Sequence, residues 1–254
     1  METAENKRLE SQGALLVDKN APGTQEKVVS ILAGMPRGML LDAPAGEGAL
    51  VQRLMGTHDI TAVDLDADFF RLHGQVAFKQ VDLNGVLPFA DSSFDYVTCV
   101  EGIEHLENPF LCVREFARVL RPGGTLVITT PNIMSIKSRT RFLFYGYHDF
   151  FRFIKLPREF RHGHPEYDHQ HINPMTFTEL RYALEKAGLE VTRVHTNRYV
   201  RARRWSALYP LLRRIITKKM KSKAPGDKDF FSREVLEGEI IIVEAEKGRD
   251  VHGG

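Results

Sequence analysis

The order of its apolar runs constrains this chain more than any other feature. GMLLDA (38–43), DITAVDLD (59–66), QVAFKQVDL (75–83), FDYVTCV (94–100) and TLVITT (125–130) are strand-like, and helical spacing or turn residues separate them. FDYVTCV is almost continuously apolar, as a central parallel strand must be. Thr24–Met35 places Val28, Val29, Leu32 and Met35 on one helical face, with Pro36 and Gly38 as its stop. Leu50, Val51 and Leu54 mark a short helix. Phe110, Val113, Phe116, Ala117 and Leu120 form the apolar face of another, over 109–120, ended by RPGG. Such alternation predicts an α/β, doubly wound, mostly parallel sheet with helices on both faces.

The later chain adds three elements. Thr176 and Glu179 form a capping-box signature ahead of Phe177, Leu180, Leu184 and Ala187, and Gly188 ends that helix. EVTRVHT (190–196) and EIIIVEAE (239–246) read as strands. At 254 residues the expectation is one domain over 24–246, with irregular inserts at about 133–170 and 197–235. A loosely held polar arm (1–23) precedes it and a tail (247–254) follows. The first ten residues, METAENKRLE, lack the apolar core of a signal peptide. Cys99 and Cys112 sit in apolar patterns with no zinc or disulfide spacing, and a cytoplasmic setting is expected.

Ligands of doubly wound sheets bind at the carboxyl ends of the strands, where strand order reverses. Four successive strands here finish on an acid: Asp42, Asp64, Asp82 and Glu101. The first runs into a small-residue turn, Asp42-Ala43-Pro44-Ala45-Gly46-Glu47-Gly48. A dinucleotide site needs a third glycine three residues after Gly48, where Val51 stands, and its pyrophosphate would be repelled by Asp42 and Glu47. A ligand carrying positive charge fits the acids better.

In these motifs the sequence resembles the class I S-adenosylmethionine-dependent methyltransferases, the broad group that includes ubiquinone-biosynthesis O-methyltransferases. LLDAPAGEG matches the glycine-loop motif, VDLD the ribose-binding acid, and VDLNGVLPFADSSFDYVTCVEGIEHLENP the adenine-contact and fourth-strand motifs. FARVLRPGGTLVITTPN matches the stretch through the fifth strand. The likeness is strong over about 25–132 and looser over 166–246. It implies a Rossmann-like, seven-stranded sheet whose last strand lies antiparallel beside the fifth, and S-adenosylmethionine as cofactor. It places Asp42, Ala43, Pro44, Gly46 and Gly48 around the methionine part, Asp64 and Leu65 at the ribose, Asp82 and Leu83 at the adenine, and Glu101 at the rim. Pro44 departs from the pattern, standing where the family's loop has its first glycine; altered loop detail is expected there, with binding kept.

The E-x-x-E-H run, Glu101, Glu104 and His105, falls beside the expected methyl group. His105 is read as base or substrate-positioning residue, with Glu104 beside it. Glu101, Glu104 and His105 are also a candidate set for a divalent metal, the lesser reading, since glutamates there also cap turns. RHGHPEYDHQHINP holds His162, His164, His169 and His171. It reads either as a solvated loop or as a cover over the site, from which His169 or His171 reaches the acceptor or completes a metal shell. Two basic, aromatic stretches, 139–160 and 198–223, have the composition of a membrane-interface segment, a lid, or an RNA-binding surface. The leading expectation is O-methylation of a small-molecule, quinone, lipid-like or glycan-linked hydroxyl, cytoplasmic or membrane-peripheral. An RNA methyltransferase and a non-catalytic S-adenosylmethionine-binding protein are the alternatives.

Overall fold

A computed structural model describes residues 15–151, 170–200, 209–223 and 226–249. Helix α1 (Thr24–Leu32) precedes β1 (Met39–Asp42), α2 (Ala49–Leu54), β2 (Asp59–Asp64), β3 (Ala77–Gln80) and β4 (Phe94–Cys99). Then come a 3-10 turn (Ile103–His105), α3 (Pro109–Val119), β5 (Leu120–Pro131) and α4 (Ile136–Tyr145). The described chain ends with α5 (Phe177–Lys186), β6 (Leu189–Thr196), α6 (Tyr209–Lys223), α7 (Arg233–Glu237) and β7 (Ile240–Lys247).

The seven strands lie in the order β3-β2-β1-β4-β5-β7-β6. β1 pairs in parallel with β2 and β4, and β7 runs antiparallel to both β5 and β6. Strand order reverses between β1 and β4, which opens a crevice at their carboxyl ends. The continuous apolar runs follow from burial on both faces. Leu40 packs with Val28, Leu32 and Leu50 on one side, while its neighbour Leu41 packs with Val113, Phe116 and Leu180 on the other. β7 divides its residues the same way, Ile240 and Ile242 against Ile241 and Val243.

Several sequence expectations are corrected. α1 stops at Leu32, and Met35 closes a turn by donating to the Leu32 carbonyl. Phe110 is exposed, because the buried stripe of α3 follows Pro109, Cys112, Val113, Phe116 and Ala117. β5 begins at Leu120, so RPGG lies within it at a register shift opposite Phe94 and Tyr96. A Cβ at Gly124 would sit 2.9 Å from the Asp95 carbonyl oxygen, so the strands can approach there only with glycine. The first insert contains α4, capped by Ser135, which accepts from the Ser138 amide, and closed by Gly146 at φ +73°. The second contains α6, fifteen residues long, with Pro210 in its first turn, where no amide donor is needed. Residues 15–23 of the arm are held: Leu16 donates to Gln52 and the Pro22 carbonyl accepts from Asn197. The capping box at Thr176 and Glu179 forms as read.

The segment after β3 is pinned from α3. Arg118 donates to the carbonyls of Leu87 and Phe89 and pairs with Glu115 and Asp91. Glu115, buried, accepts from the Leu87 amide. One guanidinium fork thus fixes the loop that carries Asp82–Asn84 into the crevice. Arg118→Lys cannot reproduce the fork. It is expected to lower the unfolding free energy by about 1.5–3 kcal/mol in urea denaturation.

Candidate functional site

A cavity of about 590 Å³ fills the crevice, lined from β1, β2, β3, β4 and residues 17–25. Asp42, Pro44, Gly46, Asp64, Leu65, Asp82, Leu83, Glu101 and His105 all line it. Ala43 and Gly48 do not. The Ala43 amide donates to Thr98 in the sheet, and Gly48 stands behind the loop at φ +96°, where a Cβ would press on Leu72 and Phe70 at 3.0 Å.

The four strand-end acids find different partners. Asp64 accepts from the amides of Gly46 and Asp66, tying the glycine loop to β2. Asp82 accepts from the Asn84 amide and side chain. Asp42 is 1 % exposed; its Oδ1 accepts from Thr98 Oγ1 at 2.7 Å, and its Oδ2 has no partner among the described residues. Burial pushes its pKa up to about 7, helped by the Asp64 charge and opposed by Thr98.

Glu101 turns elsewhere. Its backbone is left-handed (φ +47°), its amide donates to Thr129, and its carboxylate accepts from the Ala21 amide and Thr24 Oγ1. Burial raises its pKa. Glu101 therefore anchors the polypeptide strap of residues 15–24 over the cavity. Lys19 pairs with Glu47 at 2.5 Å on the same strap.

The metal-spaced group is consequently not Glu101, Glu104 and His105. It is Glu104, His105 and His171, with one ligand atom from each lying within 4.8 Å of the others. Glu104 is fully buried behind the cavity wall, and burial raises its pKa to about 8. The nearby Thr130 hydroxyl pulls the other way without reaching hydrogen-bond geometry, so neither Glu104 oxygen has a hydrogen-bond partner among the described residues. His105 Nδ1 donates to the Gln170 carbonyl at 3.0 Å, so in the neutral ring Nε2 is the nitrogen that can accept a proton. His171 packs edge-on against His105 at 4.6 Å between ring centres. Burial, with His105 beside it, lowers its pKa to about 4, and its buried Nδ1 lacks a partner among the described residues. The Ile172 and Asn173 amides both donate to the Glu104 carbonyl, which brings these distant segments together. His162, His164 and His169 lie outside the described residues.

Pro44 has a local counterpart. A Cβ at Gly102 would lie 2.3 Å from Pro44 Cδ, so the pyrrolidine ring occupies space that a side chain at 102 would need. Sequence reasoning missed Gln25 in α1, Lys19 and Asn20 on the strap, and Phe69 and Asn84 on the rim, all of which line the cavity. Gln25 carried no signal, because it lies inside an amphipathic helix.

A family profile described as a methyltransferase domain matches residues 41–128. A ubiquinone biosynthesis O-methyltransferase of Xanthomonas campestris pv. campestris (strain B100) is 33 % identical over 114 residues, 41 % of this chain and 47 % of that protein. The chain thus spans about half the length of the curated relatives it matches. Among solved structures, a candidate methyltransferase of Bacillus halodurans C-125 is similar with a TM-score of 0.58 at 22 % identity, covering 88 % of this chain and 98 % of that one. The [4+2]-cyclase SpnF gives 0.54 at 17 % identity, covering 96 % and 94 %.

Asp42 has a stability signature. Its folded pKa lies above the unfolded value of 3.8, so the unfolded chain releases this proton first and stability falls as pH rises from about 4 to about 7. Asp42→Asn removes that cost. Its unfolding free energy at pH 8, measured by urea denaturation, is expected to exceed that of the parent by on the order of a few kcal/mol, with the gap closing toward pH 4.

Proposed function

We propose that the chain is a class I S-adenosylmethionine-dependent methyltransferase and that it methylates a hydroxyl oxygen of a lipid-like small molecule. The observation that carries the cofactor half is Asp42, which lines a cavity rimmed by further acids and whose buried Oδ2 has no partner among the described residues. Such a site suits a cationic nucleoside and repels a pyrophosphate. The relatives named for ubiquinone biosynthesis support oxygen as the methylated atom and a small molecule as acceptor.

The sulfonium methyl is already activated, so the protein must chiefly align the attacking oxygen with the S–CH3 bond. As the O–C bond forms, the C–S bond breaks, the sulfonium becomes a thioether, and the hydroxyl proton passes to a base. His105 lines the cavity, and with Nδ1 donating to the Gln170 carbonyl its neutral ring would take that proton at Nε2. Glu104 and His171 act behind it as positioning residues. In a second arrangement, Glu104, His105 and His171 would hold a divalent cation: one carboxylate and two neutral imidazoles fit such an ion, which when bound would acidify the acceptor hydroxyl.

The lipid-like class is supported by surface chemistry. Phe142, Leu143, Phe144 and Tyr145 at the end of α4 are consecutively exposed. Over its described side chains, α6 presents Arg213, Arg214, Lys218, Lys219, Lys221 and Lys223 without an acid, alongside exposed Leu211 and Ile215. These suit peripheral contact with an anionic bilayer. No helix among the described residues is long and apolar enough to cross a membrane.

The test supplies methyl-labelled S-adenosylmethionine and a hydroxylated polyprenyl phenol in acidic-lipid vesicles, with and without chelator. Methyl transfer to oxygen is expected, and His105→Asn should reduce kcat by about 10²-fold or more. Chelator resistance leaves His105 as base; chelator sensitivity selects the cation arrangement; no transfer to any phenol would overturn the acceptor reading. Cofactor affinity should also rise from pH 6 to pH 8 by calorimetry, because Asp42 must ionise near pH 7 to hold a cation, and Asp42→Asn should flatten that rise.

A further inference from the structure

The strap of residues 15–24 is fastened on opposite sides of the strand-order reversal. Toward α1, the Ala21 amide and Thr24 Oγ1 donate to Glu101 at the end of β4, and the Pro22 carbonyl accepts from Asn197 Nδ2, just past β6. Toward the N-terminus, the Leu16 amide donates to Gln52 in α2. There Lys19 Nζ pairs with Glu47 in the glycine loop and lies 4.6 Å from the centre of the Phe69 ring, beyond β2. β1 lies between β2 and β4, so the strap spans the carboxyl end of β1. Val17, Lys19 and Asn20 line the cavity along that span.

The two fastenings are unequal. At the α1 end Thr24 is fully buried, and Glu101 meets the strap from a left-handed backbone (φ +47°), a conformation that costs a non-glycine residue energy. Asn197 is itself held on both atoms of its amide: Oδ1 accepts from the Arg198 and Ile240 amides while Nδ2 holds Pro22. At the other end the Lys19 side chain is 61 % exposed, and an ion pair so placed contributes little and is screened by salt. Leu16 is only partly buried against the core. One end is a root, the other a fastening that thermal motion can undo.

We propose that residues 15–20 are a hinged cover on the cavity, rooted at Ala21–Thr24 and latched by Lys19 onto Glu47 and Phe69, which opens to exchange spent for fresh cofactor. Naming the cofactor as the cargo rests on the reading above; the hinge itself does not. The latch holds the closed state whether the cavity is filled or empty, since its partners belong to the protein. Loosening it therefore speeds entry and exit by the same factor and leaves affinity in place.

Two measurements on the full chain, with Lys19→Met as the variant, test this. In the ligand-free protein, hydrogen exchange at the Leu16 amide is expected to rise about fivefold, while the Ala21 amide stays within about twofold of the parent. In rapid mixing with S-adenosylhomocysteine, the association and dissociation rate constants should both rise about fivefold, with Kd within about twofold. Lys19→Arg keeps the charge and the ring contact and should match the parent within about twofold throughout. Unchanged rates in Lys19→Met would leave no latch, and a rise in dissociation alone would make Lys19 an ordinary ligand contact; either result overturns the hinged cover. Equal acceleration at Ala21 and Leu16 would show the strap lifting whole and overturn the root. If the parent does not bind S-adenosylhomocysteine, the cofactor reading fails, and exchange at the two amides still decides the hinge.

Discussion

What the structure depends on is the difficulty of leaving a carboxylate at the end of a buried parallel strand. Strands covered on both faces can be apolar throughout, but their carboxyl ends open into a crevice where an acid has to find donors. Asp64 finds the Gly46 amide and thereby shapes the glycine loop. Asp82 finds Asn84, and Glu101 finds Ala21 and Thr24. Among these four, Asp42 alone keeps a buried oxygen with no donor among the described residues. Three of the rim acids therefore build the site, and the fourth asks for something the chain does not supply.

The sheet was legible in the sequence because its signals are local. Runs such as MLLD and IIIV alternate sides of the sheet residue by residue, so burial on both faces leaves no polar positions to confuse the pattern. The Thr176 capping box and the acids at the strand ends were legible for the same reason. α4 and α6 were not, because their exposed faces are apolar and basic, and an amphipathic pattern reads a helix by its contrast. The Ser135 cap and Gly146 stop of α4 were present, but the crowd of aromatic residues obscured them. Glu101 was misplaced for a conformational reason: spacing puts it with Glu104 and His105, but the left-handed backbone sends its carboxylate to the strap. His171 was visible only as one of four histidines, since its place is set by backbone bonds from 172 and 173 to Glu104.

Pro44 shows how a departure at one position can be absorbed at another. The ring sits against Gly102, where any Cβ would collide with it, so small size has been retained at the contact rather than at the loop position. The two residues face each other across the β1–β4 crevice, and the loop still delivers Gly46 to Asp64 and to the cavity. A motif read only along the chain counts this as a loss. Read across the crevice, the close approach survives.

The scaffold does not choose the reaction, as the likeness to a [4+2]-cyclase makes plain. Chemistry has to come from side chains outside the glycine loop. Here the turn after β4 and the segment entering α5 meet beside the cavity, with His105 on its lining and Glu104 buried behind it. Glu104 and His105 come from the first and His171 from the second. Their meeting is enforced twice, by the Ile172 and Asn173 amides on the Glu104 carbonyl and by Asn173 Nδ2 on the Leu106 carbonyl. Burial raises the Glu104 pKa to about 8 and lowers that of His171 to about 4, so both groups carry little charge at neutral pH. The cavity and the Glu104–His105–His171 group are thus joined at residues 101–106, where Glu101 holds the strap of residues 15–24 and His105 reaches the cavity.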